Sequence, residues 1–186
     1  LANGIRQSEL IEYNKVPAQF SDKEITEIVN SWAKTFDYTQ GGPNRAPKFP
    51  IPNNYQFLIR YSHLFKDQII EDYTKLTLDK MAHGGIYDQI GGGFSRYSTD
   101  KLWKVPHFEK MLYDNAQLVS LYSEAFVAFK NPEYQQIVEE TLEFVGRELS
   151  DLSGAFYSAL DADSEGEEGK FYVWKKEELK SILNDE

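Results

Sequence analysis

The chain contains no cysteine, so nothing in these residues forms a disulfide, ligates a metal through thiolate or carries thiol redox chemistry. That absence fits a reducing, cytoplasmic setting. Basic residues are in deficit: 20 Lys and Arg against 30 Asp and Glu leave a formal charge of −10. A nucleic-acid site needs a basic stripe to displace counterions from phosphates, and none is present. An anionic membrane surface would repel the same charge. No apolar run approaches the roughly 20 residues of a membrane span, and residues 1–20 have neither the charged start nor the apolar centre of a signal peptide. The first residue is Leu1, with no initiator Met, which raises the expectation of a piece from a longer protein. No cofactor and no metal are expected.

Aromatic surface and helical patterning are abundant. At 186 residues, 15% of them aromatic, the chain is long enough for one domain with a sizeable core. Residues 1–20 show no sustained period and read as a linker, leaving 21–186 as the domain. Ser21 with Glu24 three residues on is a capping box, followed by a single apolar stripe of Ile25, Ile28, Val29, Trp32 and Phe36. A second helix, about 54–66, spreads Tyr55, Phe57, Leu58, Ile59 and Tyr61 around much of its circumference, which predicts burial on several sides. A third, about 68–83, returns to one stripe containing Ile69, Tyr73 and Leu76. The fourth, about 109–129, carries two apolar rows, one through Leu118, Leu121, Tyr122 and Ala125, the other through Leu112, Ala116, Val119 and Phe126. The fifth, about 132–149, opens near Pro132 and is expected to bury Val138, Leu142, Val145 and Leu149. A short helix over about 175–184 closes the chain.

One-sided and many-sided helices therefore alternate, as outer and inner helices of a double-layered ring would. The connections alternate too. Lys66-Asp67 and Lys130-Asn131 are tight turns, whereas about 37–53, 84–108 and 150–174 are long loops. In an antiparallel helical array the long loops share one rim. They also resemble one another: residues 85–88 with 94–97, and 155–158 with 170–174, each read as a small hairpin after a helix-ending glycine. Repetition of a helix pair plus a rim loop marks a repeat architecture. The expected fold is all-α with small β-hairpins in the loops: an incomplete α/α toroid, about the first half of a six-hairpin barrel. Inner helices lacking half a ring predict self-association through uncovered apolar surface.

The densest chemistry lies where a long loop enters the fourth helix, from Trp103 to Asn115. His107 is the histidine placed there, and an imidazole is the side-chain type suited to acid–base work near neutral pH. Glu109, Asp114 and Asp88 are candidate proton donors, orienting carboxylates or hydroxyl acceptors. Tyr87, Arg96, Trp103, Lys110, Asn115, Tyr157, Asp161 and Asp163 are candidate substrate contacts. The plainer alternative is that His107 and Glu109 only cap the helix and Lys110 is solvated. Residues 161–166 match the opening of an EF-hand calcium loop, but the twelfth position is Tyr172 rather than a glutamate. A solvated acidic turn, or sugar-hydroxyl binding by Asp161 or Asp163, fits better. Gly91-Gly92-Gly93 lacks the Lys-Ser/Thr of a phosphate loop.

The segments 46–50, 85–94, 105–117 and 156–174, from Ala46-Pro47-Lys48-Phe49-Pro50 through Gly85-Ile86-Tyr87-Asp88 to Trp174, resemble the YyaL-like, spermatogenesis-associated thioredoxin-domain-containing proteins. That resemblance implies a toroid portion similar to six-hairpin glycosidases and N-acylglucosamine 2-epimerases, with a thioredoxin-like domain elsewhere in the parent chain. It implies a carbohydrate-active enzyme module, hydrolase-like or epimerase-like, with a small-molecule, carbohydrate-type ligand. The alternative is a non-catalytic ligand-binding or scaffold module serving the absent thioredoxin-like domain.

Overall fold

A computed structural model describes residues 21–183; the expected linker over 1–20 lies outside that range. The chain separates into two compact units, one ending at Thr35 and the other beginning at Phe36. In the first, α1 (Asp22–Ala33) starts on the expected capping box: Ser21 Oγ accepts from Glu24 N at 3.3 Å, and Glu24 Oε2 accepts from Ser21 N at 2.9 Å.

The second unit carries α2 (Pro52–Phe65), α3 (Gln68–Ala82), α4 (Leu112–Phe129), α5 (Pro132–Glu148) and α6 (Lys176–Leu183). α2 lies against both α3 and α4, and α4 lies against α5, so α2 and α4 form an inner layer and α3 and α5 an outer one. Leu58, Leu78, Leu118, Leu121, Tyr122 and Ala125 are buried between them. Two phenols fasten the helices: Tyr122 OH of α4 donates to Leu78 O of α3 at 2.8 Å, joining the layers, and Tyr134 OH of α5 donates to Asp79 Oδ1 of α3 at 2.7 Å, joining the two outer helices. Both tight turns use one solution, a lysine in the left-handed region followed by an Asx N-cap. Lys66 (φ 56°) precedes Asp67, which accepts from Ile70 N, and Lys130 (φ 57°) precedes Asn131, which accepts from Glu133 N.

Three expectations need correction. The fourth helix begins at Leu112, not 109, because Lys110 and Met111 form β3 and pair with Ala159 and Leu160 of β4. That pairing satisfies backbone groups a helical turn would otherwise have claimed. The buried stripe of α5 is rotated: Tyr134, Ile137, Thr141 and Phe144 are buried with Leu149, whereas Leu142 is 53% exposed. Residues 155–158 do not pair with 170–174. Phe156 bridges back to Ser150 around the Asp151 turn, and a separate hairpin joins β5 (Asp163–Ser164) to β6 (Glu167–Glu168). Its two central residues, Glu165 and Gly166, both have positive φ (53° and 79°), the geometry that matches the twist of a tight hairpin. The hairpin expected over 85–88 and 94–97 does form, through the Tyr87–Phe94 bridge.

The first two long loops share a second device. Asp37 and Asp88 each begin a turn closed by a Gly-Gly pair, with Gly41 N and Gly92 N donating back to the aspartate carbonyls at 2.8 and 2.9 Å. Oδ1 of each aspartate accepts amides inside the turn, from Thr39 and Gln40 or from Ile90 and Gly91. A buried lysine then closes each turn. Lys48 Nζ reaches Asp37 Oδ2 at 3.0 Å and Gly41 O at 2.6 Å, while Lys110 Nζ reaches Asp88 Oδ2 at 2.8 Å and Gly92 O at 2.9 Å. Only glycine fits the second position of each pair. A Cβ on Gly42 would stand 2.5 Å from the Trp103 ring, and one on Gly93 would stand 2.3 Å from Phe144.

Candidate functional site

Backbone pairing draws the three long loops together. Lys48 of the first bridges to Ser98 of β1 (Tyr97–Ser98). β1 pairs with β2 (Pro106–His107), setting Tyr97 opposite His107, and β3 pairs with β4, setting Lys110 opposite Leu160. On this frame the candidate residues fall into three groups.

His107, Glu109, Arg96 and Asp114 form one cluster. The imidazole of His107 stacks on Tyr97, with centroids 5.0 Å apart, and Tyr97 stacks on Phe49 at 4.6 Å. Its Nδ1 lies 2.8 Å from Glu168 Oε1 and its Nε2 lies 3.7 Å from Glu109 Oε2. The tautomer that donates from Nδ1 to Glu168 is the one that leaves a lone pair on Nε2. Arg96 Nη1 meets the same Glu109 oxygen at 3.3 Å, and Arg96 N donates to Glu109 O at 2.9 Å. Asp114, in the first turn of α4, has a buried Oδ2 with no hydrogen-bond partner. Burial pushes its carboxyl up to about 6; Arg96 opposes the rise and Glu109 adds to it.

Asp88 and Lys110 belong instead to a cavity of about 530 Å³. Lys110 is 2% exposed, so the solvated lysine considered from the sequence is not observed. Burial pulls its amine below the usual value, with Asp88 opposing. Burial also pushes the Asp88 carboxyl up, but the Gly91 amide and Lys110 outweigh it, and the net shift is downward. The cavity is completed by Ile90, Gly91, Arg147 and Glu148, with Leu160, Phe144, Phe171, Tyr172 and Trp174 supplying apolar walls. Lys110 and Leu160, cross-strand partners, both line it.

The third group holds the loops or stands in solvent. Tyr87 is buried and donates to Glu140 Oε2. Trp103 is fully buried, and its Nε1 donates to Gln40 O at 3.0 Å. Asn115 is fully buried and substitutes for a strand neighbour: Oδ1 accepts from Phe94 N at 2.7 Å while Nδ2 donates to Phe94 O and Met111 O. Tyr157 is 52% exposed and donates to Asp151 Oδ2 at 3.1 Å. Asp161 and Asp163 are exposed and linked only by the Asp163 amide on Asp161 Oδ1. None of these six lines the cavity.

Several residues of these sites escaped the reading of the sequence. The Asp–Gly–Gly turns at Asp37 and Asp88 are visible in the sequence. Lys48 and Lys110 follow at different distances, with Lys101 and Lys104 intervening in the second loop, so the burial of Lys110 as a closing group is not. Glu168, Arg147 and Glu148 carry no such signal. They reach the sites only through the fold.

Layered inner and outer helices with interlinked long loops define the class: part of an α/α toroid. Solved structures share it. A cellobiose 2-epimerase from Spirochaeta thermophila superposes with a TM-score of 0.64 at 19% identity, covering 72% of this chain and 36% of that one. A sugar epimerase from a ruminal bacterium gives 0.62 at 18%, covering 77% and 43%. No described family profile matches the chain. Curated relatives do: human spermatogenesis-associated protein 20 is 44% identical over 160 residues, 80% of this chain and 20% of that protein. The rat protein of that name is 42% identical over the same span, and an uncharacterized Caenorhabditis elegans protein 38% over 180 residues. The chain belongs to the spermatogenesis-associated protein family and spans about a fifth of the length of the mammalian relatives it matches.

Proposed function

We propose that this chain supplies one half of the active site of a carbohydrate-active enzyme that moves a proton at a sugar carbon, as a 2-epimerase does. The observation that carries this reading is Asp114: a carboxyl raised to about 6, with an unpartnered buried oxygen, beside Arg96, Glu109 and the His107–Glu168 pair. Such a group is only partly protonated near neutral pH, so it can both give up a proton and take one back. In an epimerisation the base takes the proton from the carbon next to the sugar carbonyl, and an acid returns one to the opposite face. His107 Nε2 is suited to the first role and Asp114 to the second. Arg96 is suited to hold the oxyanion that forms between them. The names of the fold's solved neighbours, cellobiose 2-epimerase among them, favour a sugar as substrate.

The thioredoxin-like domain implied by the sequence resemblance and a cytoplasmic location belong to the same proposal. The test is cellobiose in D2O, followed by NMR, using these residues in a protein of the relatives' full length. Deuterium appears at C2 with an epimerised product, and His107→Ala or Asp114→Asn lowers the rate by about a hundredfold or more. Release of glucose without exchange at C2 would make the enzyme a hydrolase. Full exchange in both variants would remove these residues from the chemistry.

A further inference from the structure

The Asp–Gly–Gly turn occurs twice, and one copy is closed by an indole. In the first copy Trp103 lies over the turn: Nε1 donates to Gln40 O at 3.0 Å, Lys48 Nζ sits 5.6 Å from the ring centroid, and the ring fills the space beside Gly42. Matching the turns by offset from the aspartate sets Gly91 where Gln40 stands and Gly93 where Gly42 stands. Lys110, 22 residues beyond Asp88 where Lys48 is 11 beyond Asp37, matches Lys48 by its contacts. Gly91 O accepts from Arg147 Nη2 at 2.6 Å, and Phe144 lies beside Gly93 with Lys110 Nζ 4.5 Å from its centroid. Phe144 and Arg147 thus stand in for the ring and the N–H of Trp103, and both line the cavity of about 530 Å³ beside the second turn.

We propose that this cavity binds a neutral sugar ring, at a site separate from the proton-transfer cluster around His107. Its charges come as two ion pairs, Lys110–Asp88 at 2.8 Å and Arg147–Glu148 at 2.8 Å. A charged ligand gains little from balanced pairs, whereas neighbouring hydroxyls can donate to the carboxylates and accept from the N–H groups. Phe171 and Trp174, 76% and 52% exposed, line the same space, as does Tyr172, whose ring is stacked on Phe108. The C–H face of a pyranose carries partial positive charge and meets the negative face of an aromatic ring favourably. The volume is that of an ordinary small-molecule site, with apolar walls and few polar groups. The choice of a sugar rests on the carbohydrate reading above; the existence of the site does not.

Calorimetric titration of the chain with cellobiose, and separately with indole as a flat non-sugar, tests this. Cellobiose binds saturably and indole does not. Trp174→Ala weakens the sugar about tenfold, as loss of one stacking ring should. Leu160→Trp, which fills the cavity from β4, abolishes binding. Trp174 is exposed and Trp103 buried, so a blue shift of tryptophan emission on adding cellobiose reports the same event and disappears in Trp174→Ala. Gln135→Ala, exposed on α5 and lining neither site, leaves the affinity unchanged. Absence of sugar binding, preference for indole, or binding that survives both cavity variants and is lost in His107→Ala would overturn the proposal. A failure of the epimerase reading would instead appear as no exchange at C2 with cavity binding intact.

Discussion

At Asp114 a single carboxyl couples stability to pH. Its proton is held more tightly in the folded chain, since burial raises it from 3.8 to about 6. The stabilisation from that proton is complete below about 3.8 and is lost as pH rises through about 6. Asp114→Asn removes the charged form, so the variant should melt higher than the parent at pH 8, with the difference vanishing by pH 4. Thermal melts at the two pH values check the sign. Two glycines make a contrasting pair. Gly93 has φ 79° and abuts Phe144, so Gly93→Ala should cost about 2 kcal/mol or more through strain and overlap. Gly146 lies in α5 with nothing within 4 Å of an added Cβ, so Gly146→Ala should stabilise by about 0.5–1 kcal/mol. Urea titration of both variants measures the difference.

The loop turns are the elements on which both sites depend. Lys110 is 2% exposed and Asp88 20% exposed at the side chain, so the pair is buried enough for the loss of one partner to leave an uncompensated charge. Lys110→Met should destabilise by about 3 kcal/mol or more. Asp88→Asn keeps an Oδ1 for the Ile90 and Gly91 amides, so the double variant Asp88→Asn/Lys110→Met should recover much of that loss, giving a coupling of about 1–3 kcal/mol. Chemical denaturation of the four proteins in this cycle measures the coupling. A pair that proves additive would mean Lys110 acts through packing on Phe144 rather than through charge.

For the whole molecule, the exposed apolar residues of the inner helices matter most. Phe57 and Leu64 on α2 and Val127 on α4 are 42%, 73% and 65% exposed, more than an inner helix of a closed ring would leave open. The isolated chain should therefore self-associate as concentration rises, and Leu64→Lys should weaken that association; sedimentation velocity of both proteins checks it. Helix positions, the Ser21–Glu24 capping box, the Lys-Asx turns and the alternation of short and long connections were legible in the residues, because each is set by neighbours within a few positions. The interlinking of the long loops followed from that alternation. The start of α4 at Leu112 and the rotated face of α5 were not legible, since strand pairing and inter-helix packing override local periodicity. Asp88, Lys110 and His107 were recognisable as polar residues in a dense loop. That Lys110 is buried, that Glu168 faces His107, and that Arg147 takes over one contact that Trp103 makes in the first copy were decided only by tertiary structure. Residues distant in sequence meet there through backbone hydrogen bonds between loops, and no local pattern encodes which loop pairs with which.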